Sequence, residues 1–124
     1  MASILVIDDE AELRQIISNT LKLGGHEVIE ARNGREGVNR YSEATVDLVI
    51  TDIMMPETDG FEAIIALRRD YPNVKIVAIS GGGRVGDTNY LSLAERLGAD
   101  RILAKPFRRE QLLAAVRDCL AAAA

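Results

Sequence analysis

Residues 46–60 read VDLVITDIMMPETDG. An apolar run leads into Asp52, and two methionines, a proline, two more acids and a glycine follow within eight residues. A short run of Leu, Val and Ile closed by turn-forming residues describes a strand covered on both faces. A carboxylate at the end of such a strand is costly to bury, so its position calls for a compensating partner.

The same pattern extends outward in both directions. Apolar runs at residues 4–7, 27–31, 46–50, 74–79 and 101–104 alternate with longer amphipathic segments. The first, third and fourth runs are nearly unbroken Ile, Val and Leu, which places them inside a sheet. The second and fifth are shorter and more polar and belong toward its edges. In the first intervening segment Leu13, Ile16, Ile17, Thr20 and Leu21 form one helical stripe that stops before Gly24 and Gly25. Residues 34–42, 61–69, 88–97 and 108–120 suit four more helices, with Gly98 at a helix stop. Strands alternating with helices predict an α/β fold, a doubly wound parallel sheet whose ligands bind beyond the carboxyl ends of the strands.

The composition narrows the function. The chain has 124 residues, 48% hydrophobic and 27% charged, with a net charge of −4, which is the balance of one soluble globular domain. An acidic chain lacks the basic face of a nucleic-acid binder, so direct nucleic-acid contact is not expected. No apolar run reaches the roughly 18 residues of a membrane span. The single cysteine, Cys119, cannot form an internal disulfide, and paired acids arrive too early for a secretion signal. These features predict a cytoplasmic chain with no membrane insertion. His26, in a turn beside Gly25, is expected to be exposed.

Asp8 and Asp9 follow the first strand, and Asp52 follows the third. If those strands are neighbours, three carboxylates gather at one edge. Asp8 or Asp9 capping the first helix would account for part of this pattern, but not for all three acids. Clustered carboxylates repel one another, and a divalent cation offsets their charge. An oxygen-only ligand set suits Mg²⁺, which keeps open positions for a phosphoryl oxygen beside a nucleophilic carboxylate. Ser80 and the Gly81 N–H at the end of the fourth strand, with Lys105 at the end of the fifth, would converge on a transferred phosphoryl group.

Four pieces, VIDDE (residues 6–10), DIMMPETDG (52–60), AISGG (78–82) and LAKPF (103–107), together resemble a response-regulator receiver domain of two-component signalling. The resemblance implies a flavodoxin-like fold with five parallel strands in the order 2-1-3-4-5 and five helices, one receiver domain over residues 1–124 without an output domain. Asp52 would be the phosphoacceptor, taking the group from a phosphohistidine of a sensor histidine kinase or phosphotransfer protein. Asp8, Asp9, Asp52 and the Met54 carbonyl would hold Mg²⁺. Ser80, Gly81 and Lys105 would bind the phosphoryl group, Lys105 pairing with Asp52 beforehand and Lys105–Pro106 being cis. Phe107 is expected to pack. Phosphorylation would switch binding to a downstream protein target, and the chain would not be an enzyme acting on a separate substrate.

Two features depart from the family pattern. Three residues before Lys105 the family usually carries Tyr or Phe, whose ring moves with the hydroxyl at the Ser80 position; this chain has Ile102. The segment after Ser80, GGGRVGDTNYLS, carries four glycines. It reads either as a plain connection or as a replacement for the missing ring. The alternative function is a phosphorylation-independent pseudo-receiver that works as an interaction module. An Asp-nucleophile phosphatase would carry a second Asp where Met54 stands, and a flavin-binding reading fails because DDEAE after the first strand repels phosphate.

Overall fold

The computed structural model describes residues 2–53, 59–80 and 98–121, with residues 59–61 and Ser80 described by their backbone. In chain order the elements are β1 (Ser3–Ile7), α1 (Ala11–Leu23), β2 (Glu27–Ala31), α2 (Gly34–Glu43), β3 (Leu48–Asp52), α3 (Asp59–Asp70), β4 (Ile76–Ser80), β5 (Arg101–Ala104) and α4 (Arg109–Ala121). Every strand pairing is parallel, and the sheet order is β2-β1-β3-β4-β5, with the two most polar strands at its edges. Four helices stand among the described residues; the expected helix at 88–97 lies outside them.

The period-two alternation of the strands builds two cores. Leu5, Ile7, Val49, Ile76 and Ala78 face one side and pack with Ile64 and Leu67 of α3 and, at the margin, Val38 and Tyr41 of α2. Ile4, Val6, Leu48, Ile50, Val77 and Ile79 face the other and meet Ile17 and Leu21 of α1 and Leu112, Val116 and Cys119 of α4. Phe107 packs at the edge of this second core. The central strands are therefore apolar on both faces.

Three local expectations change. β3 runs two residues later than the apolar run suggested, because pairing with β4 continues to Asp52 opposite Ile79. Asp52 is thus the last strand residue and is buried with its neighbours. In α1 the sheet-facing stripe is Ile17, Thr20 and Leu21, while Ile16 is 60% exposed. His26 is half-buried: Nδ1 accepts the N–H of Ala2 at 3.2 Å, and Glu27 N–H reaches the Ala2 carbonyl at 2.8 Å. The turn folds back over the chain start and takes the imidazole with it. The glycine stop is as expected, with Gly25 at φ 89° closing α1.

α2 approaches β1 closely near the carboxyl end of that strand. A Cβ on Gly37 would collide with Cγ1 and Cδ1 of the fully buried Ile7. Helix propensity alone favours Gly37→Ala by about 1 kcal/mol, but overpacking costs about 1–3 kcal/mol and wins. Thermal unfolding of G37A should show a lowered Tm, partly recovered when Ile7→Val removes the outermost methyl.

Candidate functional site

Each candidate residue sits where a strand gives way to a loop. The β1–β3 register pairs Ile7 with Thr51, so the next residues along, Asp8 and Asp52, stand beside each other at the carboxyl edge. Carboxylate oxygens of Asp8, Asp9 and Asp52 all lie within 4.8 Å of one another. Asp8 is 1% and Asp52 3% exposed, whereas Asp9 faces solvent. Two strands away, Lys105 follows the end of β5 and precedes a cis peptide to Pro106. Its Nζ reaches Asp52 Oδ2 at 3.0 Å. Ser80 ends β4, opposite Ala104, and so lies between Asp52 and Lys105 in strand order. Met54 and Gly81 lie outside the described residues, as does the segment 81–92.

Asp8 is fixed by nearly every polar atom it has. Its N–H donates to the Ala31 carbonyl of β2 at 3.1 Å, and its carbonyl accepts Arg14 Nη1 at 2.7 Å. Its Oδ1 accepts the Glu10 N–H at 2.8 Å. This is a turn bond and not a cap: Glu10 occupies the N-cap of α1 without a side-chain bond, so neither Asp8 nor Asp9 caps that helix. Oδ2 of Asp8 is buried and has no hydrogen-bond partner among the described residues. Burial raises the Asp8 carboxyl to about 6 from an ordinary 3.8, and the Asp52 and Asp9 carboxylates push the same way; the Glu10 N–H and the Lys105 ammonium oppose them.

These residues fit a hard divalent cation. The donors are all oxygen, two of the three carboxylates are withdrawn from water, and one buried oxygen is left without a partner. Leaving such a group unpaired costs about 1–3 kcal/mol, a penalty that coordination would offset. The sequence reading passed over Arg14 and Glu30, which are joined at 2.9 Å beside the Asp8 carbonyl. The available signal was an arginine one turn into the helix that follows paired strand-end acids.

Ionising Asp8 strains the folded state when no cation is present. With the folded value raised, the folded chain holds more protons than the unfolded chain between about pH 4 and 6, so stability falls as pH rises through that window. The full effect is on the order of 3 kcal/mol. Asp8→Asn keeps an acceptor for the Glu10 N–H and removes the charge. In cation-free buffer it should raise Tm at about pH 7.5, with the gain shrinking toward about pH 4.5.

Known proteins resemble this chain in sequence and in fold. Residues 4–117 match the response regulator receiver domain family. The chain is 36% identical over 117 residues to the chemotaxis protein CheY of Listeria monocytogenes, covering 94% of this chain and 96% of that protein. It is also 36% identical over 117 residues to a "Probable transcriptional regulator ycf27" of Guillardia theta, covering 94% of this chain but 44% of the relative. The chain therefore spans nearly all of one kind of relative and under half of the other. A receiver domain from Clostridium thermocellum superposes with a TM-score of 0.88 at 32% identity, covering 97% of this chain and 94% of that one. Vibrio cholerae CheY4 gives 0.86 at 33% identity, covering 97% and 99%. The chain belongs to the response-regulator receiver domains of two-component signalling, with their CheY-like flavodoxin fold.

Proposed function

We propose that this chain is the phosphoacceptor of a two-component relay, with Asp52 as the residue modified. The observation that carries the reading is the ion pair of Lys105 with a buried Asp52 at 3.0 Å, set against a carboxylate cluster with an unpartnered oxygen. An Asp52 carboxylate oxygen would attack phosphorus of a phosphohistidine on a kinase or phosphotransfer protein. The O–P bond forms as the P–N bond breaks, and the imidazole leaves with the bonding electron pair.

Asp8, Asp9 and Asp52 would hold Mg²⁺, with the Met54 carbonyl as a further ligand. The bound ion would neutralise charge on the phosphoryl oxygens. The chain's own groups do the remaining work. Lys105 holds the Asp52 side chain in a fixed direction before transfer and then follows the new negative charge onto the phosphoryl group. Ser80 and the Gly81 N–H, between Asp52 and Lys105 in strand order, would complete the oxyanion contacts. Burial of Asp52 shields the resulting acyl phosphate from water.

The output would be a changed surface for a downstream protein, driven by added charge at a packed edge. Ile102 is half-buried against the α3-side core and pairs with Ala78. An aliphatic side chain there has no ring to reposition, so the change would pass from Ser80 into the segment that follows it. No helix among the described residues is long and apolar enough to cross a membrane.

Incubation with a small phosphodonor and Mg²⁺, followed by intact mass, tests the reading. One phosphoryl group should appear on the wild type and none on Asp52→Asn, and chelating the Mg²⁺ should suppress the reaction. An unmodified wild type under these conditions would instead support a phosphorylation-independent interaction module.

A further inference from the structure

The Arg14 side chain joins three elements that meet beside the acidic cluster. It projects from the first turn of α1, and its Nε donates to Glu30 Oε1 of β2 at 2.9 Å. Its Nη1 donates to the carbonyl of Asp8, the residue after β1, at 2.7 Å. The Arg14 side chain is 15% exposed and that of Glu30 34%, so the pair is largely withdrawn from water. A planar fork with donors in fixed directions can serve a carboxylate and a carbonyl at once; an ammonium cannot reproduce both directions.

The carbonyl that Arg14 holds belongs to the peptide between Asp8 and Asp9. Its orientation decides where both side chains leave the backbone. The Asp8 N–H is already bound to Ala31 and its Oδ1 to the Glu10 N–H. With the carbonyl also bound, rotation about the Asp8–Asp9 peptide would break a charge-assisted hydrogen bond. The two carboxylates are therefore held facing Asp52 against their mutual repulsion.

We infer that Arg14, set by Glu30, is a positioning residue for divalent-cation binding at the acidic cluster. The inference rests on the cation site proposed above. It opposes simple charge counting, by which removing a cation near three carboxylates should tighten cation binding. Here the Arg14 charge is matched by Glu30, so its field at the cluster is small and the geometric contribution dominates. Residues that orient metal ligands through hydrogen bonds typically change affinity by about 10–100-fold when removed.

Mn²⁺ binding to the full chain, followed by the loss of its free-ion electron paramagnetic resonance signal, tests the idea without reference to phosphorylation. Arg14→Gln and Arg14→Lys should each weaken Mn²⁺ binding about tenfold. Glu30→Gln retains an acceptor for Nε but leaves the Arg14 charge unmatched, so it should weaken binding less than Glu30→Ala, which should weaken it as the Arg14 variants do. Far-ultraviolet circular dichroism on each variant confirms that the folded chain is being titrated, and Arg14→Lys is the variant least disruptive to folding. Wild-type affinity in both Arg14 variants would overturn the positioning role and leave the cation site standing. Tighter binding in Arg14→Gln alone, or loss in Glu30→Gln equal to that in Glu30→Ala, would show that charge and not geometry governs, and would equally overturn it. A wild type that does not bind Mn²⁺ would overturn the cation site itself, and this inference with it.

Discussion

The parallel pairing of β1 with β3 places two aspartates side by side at the end of a sheet buried on both faces. With Ile7 opposite Thr51, neither Asp8 nor Asp52 can withdraw to solvent without unzipping the central strands. Isolated buried carboxylates would be prohibitive in an apolar interior. Much of the surrounding chemistry is a response to that constraint. Lys105 pairs with Asp52, backbone and Arg14 contacts saturate Asp8 except at Oδ2, and Asp9 remains in water.

The two carboxylates have different environments although they share an edge. Asp52 has a cation at 3.0 Å, whereas Asp8 has a backbone N–H and an oxygen without a partner, and burial drives its carboxyl up to about 6. That division suits separate roles. Asp52, held by an ammonium, suits the nucleophile proposed above, and Asp8, left short of positive charge, suits the proposed cation ligand. A buried ion pair of this kind is weak evidence for stability, since a well-packed apolar pair would often serve the fold as well or better. Its presence at the carboxyl edge of a parallel sheet is better explained by function.

Around the site the fold supplies rigidity from opposite sides. On one face α2 lies so close to β1 that Gly37 has no room for a side chain against Ile7. On the other, α1 carries Arg14 back over the strand ends to Asp8 and Glu30. Farther along, Arg68 of α3 donates to the carbonyls of Val74 and Gly98 and to Asp100, tying the approach of β4 to that of β5. Lys105 is thereby presented from a strand whose start is fixed, and its reach to Asp52 spans the end of β4.

The sequence by itself determined the alternation of elements, the central and edge strands, and the strand ends that carry Asp8, Asp52, Ser80 and Lys105. Period-two and period-3.6 patterns are local properties, and parallel crossovers leave few ways to assemble them. Only the tertiary structure decided the rest. β3 was carried on to Asp52 by its pairing with β4, which no local hydropathy records. Ile16 lies on the flank of α1, because the sheet takes only the stripe through Ile17 and Leu21. His26 is half-covered because its turn meets the start of the chain, 24 residues away. The Arg14–Glu30–Asp8 clamp joins a helix to the ends of two strands through one long side chain. Spacing along a chain cannot show where such a side chain ends, because its donors are satisfied by groups that only folding brings within reach.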